Sequence, residues 1–166
     1  MTFKVDPQTT LTYGNPQAPH ELTLILNLGC VDTRDWWQPN QATLFAAIDQ
    51  GKLQVHVKFW SKVKPTLLNG NVANGYVDYQ HPAAALRLIK AVFQNQDPLR
   101  AADLAAVPAY LERTYQVTPY AQAETVRQRI DREVAANGIT SLPTVIYQGQ
   151  AYADETLPTI DELLTE

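Results

Sequence analysis

The sequence predicts an α/β sandwich whose single sheet is assembled from two separated halves, with a helical excursion between them. Three observations carry this. A β-α-β pattern spans residues 22–60, an α-β-β-α pattern closes the chain from residue 119, and the stretch between them has helical character. Residues 1–63 and 119–166 therefore make one discontinuous domain, and 64–118 form an inserted helical subdomain.

In chain order, Phe3 to Val5 reads as a short edge strand stopped by Pro7. Tyr13 to Pro19 is a turn-rich lead-in with two prolines, which a central strand does not tolerate. Leu22 to Leu28 is long enough for one buried strand and too short for a typical helix. Gly29 breaks it, Cys30 follows, and Asp32 and Thr33 are residue types that cap helices. The next helix is expected from Arg34 to Gln50, with Pro39 kinking it or dividing off its first turn. Of Trp36 and Trp37 near its start, one is expected in the core and one partly exposed.

Lys52 to Trp60 alternates apolar and polar residues, the mark of a half-buried strand with Gln54, His56 and Lys58 on the polar face. It should lie parallel to the first strand through a right-handed crossover. Pro65 to Tyr79, rich in Asn and Gly, reads as a loop. Pro82 opens a helix that runs to Gln94, Asp97-Pro98 starts another that restarts at Pro108, and Thr118-Pro119 opens a third that stops at Asn137-Gly138. Thr144 to Tyr147, the Gln148-Gly149 turn and Ala151 to Ala153 form a hairpin. Leu157-Pro158 opens the last helix.

Composition excludes several classes of function. With 45% apolar and 18% charged residues the chain is ordinary for a globular protein. Its net charge of -4 and the absence of a Lys/Arg stripe argue against nucleic acid. No apolar run approaches the roughly 18 residues of a membrane helix, and the start lacks the apolar stretch of a secretory signal, so the expected location is cytoplasmic. A single cysteine permits no internal disulfide and no cysteine-based zinc site. His20, His56 and His81 are scattered, so neither a metal nor a cofactor is expected.

Chemistry concentrates at Cys30. Strand, tight turn, cysteine and helix place the thiol where unpaired N–H groups and the helix dipole favour an anion. Arg34 adds to that tendency and Asp32 opposes it. The bland alternative is a buried cysteine acting as a small hydrophobe.

A wider pattern surrounds the thiol. Gly14-Asn15-Pro16-Gln17-Ala18-Pro19 is similar to a G-N-P-x-A-P lead-in, and Gly138-Ile139-Thr140-Ser141-Leu142-Pro143-Thr144 to a G-V-x-G-T-P-T segment. Val145 to Gly149 and Val92 to Gln96 resemble F-F-I-N-G and L-F-x-N-Q. Together these resemble the disulfide-bond protein A (DsbA) family of thioredoxin-fold thiol-disulfide oxidoreductases, over residues 13 to 160. The resemblance implies a three-layer thioredoxin-like sandwich with a helical insertion. It also implies a cis peptide bond before Pro143 and a location for Pro143 beside Cys30.

The departure is at the second active-site cysteine. The family motif is C-x-x-C, and this chain has Cys30-Val31-Asp32-Thr33. The usual dithiol cycle is therefore closed to it. The resemblance implies instead a monothiol protein in which Cys30 exchanges with disulfides of proteins or small molecules and an external thiol resolves the product. Thr33 would donate a hydrogen bond to the thiolate. Pro143 would hold the loop beside the sulfur, the Leu142 backbone would pair with an extended substrate, and Trp36 and Asp32 would line the groove. Two other readings stay open: a redox-inactive peptide- or protein-binding module, and a glutathione-transferase-like or isomerase activity on a small molecule.

Overall fold

Two parallel strands of unlike sequence sit at the centre of the sheet. In the computed structural model, which describes residues 1–165, they are β2 (His20–Leu26) and β3 (Leu53–Phe59), in register from His20 opposite Leu53 to Leu26 opposite Phe59. An antiparallel edge strand, β1 (Leu11–Tyr13), pairs with β3. β4 (Thr144–Tyr147) pairs antiparallel with β2, and β5 (Gln150–Ala153) with β4, giving the order β1-β3-β2-β4-β5. Helix α1 (Val31–Asp49) is the crossover between β2 and β3. The insertion supplies α2 (Leu68–Asn74), α3 (Pro82–Gln94), α4 (Gln96–Ala101) and α5 (Val107–Tyr115). Then α6 (Ala123–Ala136) leads to the hairpin, and α7 (Ile160–Leu164) ends the chain against α1. The sheet halves meet as expected, and the result is a mixed α/β sandwich.

Several sequence expectations are corrected. Phe3 to Val5 is not a strand, and the edge strand falls at Leu11–Tyr13. The early backbone bonds to side chains instead: Thr2 N donates to Asn137 Oδ1 and Lys4 N to Glu133 Oε2, while Lys4 O accepts from Lys58 Nζ. The same segment closes over β3, and His56 and Lys58 are buried at 2% and 1% exposure although the alternation put them on the polar face of a half-buried strand. His56 is held by the Thr12 hydroxyl at 2.8 Å and the Glu21 carboxylate at 3.2 Å. Lys58 is paired with Glu133 at 2.9 Å.

The segment read as a loop from Pro65 to Tyr79 contains a 3-10 turn and α2. Its Asn side chains bond to distant groups, so they do not compete with their own helix for backbone partners. Residues 118–122 are not helical. Tyr120 N donates to Gly75 O at 2.8 Å, and α6 begins only at Ala123. Helix α1 runs unbroken through Pro39, both Trp36 and Trp37 are buried, and Asp32 and Thr33 lie inside its first turn, not at its cap. The last helix starts at Ile160, where Thr159 and Glu162 form a capping box.

Two buried tyrosines, Tyr76 and Tyr79, and three half-buried ones, Tyr13, Tyr115 and Tyr120, make a prediction about alkaline stability. Burial, aided by the Glu112 carboxylate, pushes Tyr76 up to about 12, and burial raises Tyr13, Tyr79, Tyr115 and Tyr120 as well. Above about pH 10 the unfolded chain loses these protons first and the folded chain keeps them. The unfolded state then binds fewer protons, so stability falls as pH rises. Lys58, lowered by burial, acts in the opposite sense, but it is one group against five tyrosines. Urea midpoints should therefore drop steeply above pH 10, and a flat profile would contradict the burial of these phenols.

Candidate functional site

The end of β2 turns through Asn27, Leu28 and Gly29 into Cys30, which is the N-cap residue of α1. Three local bonds shape the turn: Gly29 N to Asn27 Oδ1 at 2.9 Å, Cys30 N to Asn27 O at 3.2 Å, and Arg34 N to Cys30 O at 3.1 Å. The insertion grips it from outside. Leu28 N donates to Asn74 Oδ1 at 3.1 Å, and Asn27 Nδ2 donates to Asn71 Oδ1 at 2.8 Å and Trp60 O at 3.0 Å. Gly29 lies directly against Gly70 of α2, where a Cβ on Gly29 would stand 2.5 Å from the Gly70 Cα. Only a residue without a side chain allows that approach.

Cys30 is 8% exposed, and its Sγ lies 3.9 Å from Leu142 O, across 112 residues of sequence. The Leu142–Pro143 peptide bond is cis. The loop around it is braced by Thr144 Oγ1 on Ser141 O at 2.7 Å and by Lys62 Nζ on Thr140 O at 2.7 Å. Beside it opens a groove of about 400 Å³. Its apolar wall is Trp36, Leu142, Pro143 and Leu157, and its charged groups are the carboxylates of Asp32, Asp35 and Asp154. Trp36 is fixed there by an indole N–H bond to Pro158 O at 2.8 Å.

A family model described as thioredoxin matches residues 6–166. The chain belongs to the thioredoxin family. No curated protein matches it. Among solved structures, a conserved protein of unknown function from Enterococcus faecalis V583 shares 28% identity with a TM-score of 0.87, over 98% of this chain and 93% of that one. A candidate protein-disulfide isomerase from Pseudomonas syringae aligns at 14% identity and TM-score 0.69, covering 93% and 96%. Oxidised BdbD from Bacillus subtilis aligns at 14% and TM-score 0.63, covering 96% and 93%. The last two share the fold with this thioredoxin-family chain.

Cys30, Asp32, Trp36, Leu142 and Pro143 thus gather at one end of the sheet. Thr33 stands apart from the expectation. Its side chain is fully buried, and its Oγ1 has no hydrogen-bond partner among the described residues, so it makes no bond to Cys30. The sulfur faces the Leu142 carbonyl instead. Arg34 is likewise spoken for, with Asp35 at 3.2 Å and Asp97 at 3.0 Å, and offers Cys30 little net charge. The residues missed in the sequence are the amides of the insertion. Their signal was the Asn69-Gly70-Asn71-Val72-Ala73-Asn74 run, whose polarity and glycine suggested a loop.

Proposed function

We propose that this thioredoxin-family protein catalyses thiol-disulfide exchange through Cys30 alone, with an external thiol as the resolving partner. The observation that carries the reading is the Cys30 sulfur set 3.9 Å from the carbonyl oxygen of Leu142, a residue that lines the groove together with Pro143. The Cys30 thiolate attacks one sulfur of a disulfide R–S–S–R, forming Cys30–S–S–R and expelling RS⁻. A second thiolate attacks the R sulfur of that mixed disulfide. The new R–S–S–R′ leaves, and Cys30 returns as thiolate. Electrons balance over the cycle without a cofactor. Leu142 presents backbone to an extended segment of the substrate. Release by an external thiol suits a reducing, cytoplasmic setting.

Catalysed exchange between glutathione and hydroxyethyl disulfide tests this reading. The wild type should accelerate it and Cys30→Ser should not; equal rates for the two would favour the binding-module alternative. A second expectation concerns charge. With Asp32, Asp35 and Asp154 on the groove, the amine-bearing disulfide cystamine should react faster than dithiodiglycolate by about tenfold at low salt. Asp32→Asn should narrow that ratio. A ratio indifferent to salt and to Asp32 would mean that the carboxylates do not meet the substrate.

A further inference from the structure

Helix α4 reaches back to the turn that carries Cys30. Gln96, on that helix, is 2% exposed, and its side-chain Nε2 donates to Leu28 O at 2.8 Å and to Cys30 O at 3.0 Å. Arg100 follows four residues later, on the same helix face, and donates from Nη1 to Gly29 O at 2.6 Å. Two side chains of the insertion therefore hold three successive carbonyls of the turn. The helix that bears them is fixed in its own right. Asn69 of α2 donates to Leu99 O at 2.9 Å and to Ala102 O at 2.7 Å.

Packing alone does not explain Gln96. Its Oε1 is buried without a hydrogen-bond partner among the described residues. An apolar side chain of similar volume would fill the space without desolvating that oxygen. What such a side chain would lack is the pair of donors. Without them Leu28 O would be left buried with no partner and Cys30 O would keep only Arg34 N, and the turn would shift to satisfy Leu28 O. The sulfur direction depends on that turn, because Cys30 is both its last residue and the cap of α1.

We infer that Gln96 and Arg100 are positioning residues for Cys30, by which the insertion sets the direction of the sulfur toward Leu142 and the groove. This rests on the proposed role of Cys30 as the attacking thiol. The insertion is then part of the reactive apparatus, and a change in α4 is felt at the sulfur.

The test is the second-order rate constant of Cys30 with hydroxyethyl disulfide, followed by the mass of the mixed disulfide across the neutral pH range. It compares wild type, Gln96→Met, Arg100→Met and Arg100→Lys, each with circular dichroism and a melting curve. Gln96→Met and Arg100→Met should lower the folded-state rate by about tenfold or more, as small displacements of a reacting group do. Arg100→Lys, which keeps one donor and the charge, should recover part of the loss, and in denaturant all four should react alike. Variants that melt earlier yet keep the wild-type rate and pH–rate profile while folded would show a merely structural role and overturn the inference. If Gln96→Met fails to fold, the Arg100→Met and Arg100→Lys pair decides by the same criterion. A wild-type Cys30 that does not exchange at all would remove the proposed function and the positioning role together, an outcome distinct from exchange that persists unchanged in the variants.

Discussion

Thr33→Cys should form an internal disulfide with Cys30 and turn a monothiol protein into one with a two-cysteine cycle. Residue 33 lies one helical turn from Cys30 at the start of α1, and Cβ atoms at that spacing are about 5–6 Å apart on a helix before side chains adjust. Disulfides need Cβ atoms about 3.5–4.5 Å apart, so the first turn must close by roughly 1–2 Å as the bond forms. The exchange costs little space, and it replaces a buried hydroxyl that has no partner with a sulfur that needs none. Resolution of the mixed disulfide then becomes intramolecular, which is worth orders of magnitude over an external thiol. Thiol-dependent reduction of insulin should rise at least about tenfold above the parent. A disulfide that forms without turnover would mean that the groove no longer takes substrates. Failure to form one in mild oxidant would mean that the turn differs from the geometry described.

The largest stability effect should come from the opposite layer. Glu133→Ala should cost about 3–5 kcal/mol, because it strands the ammonium of Lys58 in the interior. Lys58 is 1% exposed, and its Nζ touches Glu133 Oε1 at 2.9 Å, Lys4 O at 2.8 Å and Thr10 Oγ1 at 2.8 Å. Burial already lowers its affinity for the proton, and the Glu133 carboxylate opposes that shift. Glu133 also accepts from Lys4 N, so its loss loosens the N-terminal segment that roofs β3. Lys58→Met should cost less. It removes the buried charge outright, and the Glu133 side chain it leaves behind is 16% exposed and can turn to water. Urea unfolding of the two variants checks the order, and a Lys58→Met variant less stable than Glu133→Ala would contradict it.

These two sites mark where the sequence was legible and where it was not. The Cys30 turn could be read because its signals are local: an apolar run, a glycine, a cysteine and a helical period in succession. The parallel pairing of β2 with β3 followed from the β-α-β unit and the β4–β5 pairing from the C-terminal hairpin, which obey general rules of connection. Lys58 and His56 were misplaced because the alternation of β3 identifies a polar face but not what covers it. The cover comes from residues 2–10 and α6, far away in sequence. The Asn-rich segment was read as a loop for a related reason. Asn is a turn former when its side chain bonds locally, and here Asn69, Asn71 and Asn74 bond across to α4, Lys62 and the Cys30 turn. Thr33 shows the same limit at the site itself. The C-x-x-T spacing set its place one turn from the sulfur, whereas the direction of its hydroxyl depended on packing.

The reactivity of Cys30 in the folded protein, set against the same chain in denaturant, tests the central claim most directly. The intact wild type is mixed with hydroxyethyl disulfide, the mass of the Cys30 adduct is followed in time, and glutathione is then added to follow its loss. The site described here predicts an adduct that forms faster in the folded chain than in the unfolded one and that glutathione removes. A Cys30 that reacts no faster when folded, or an adduct that glutathione cannot release, would contradict it.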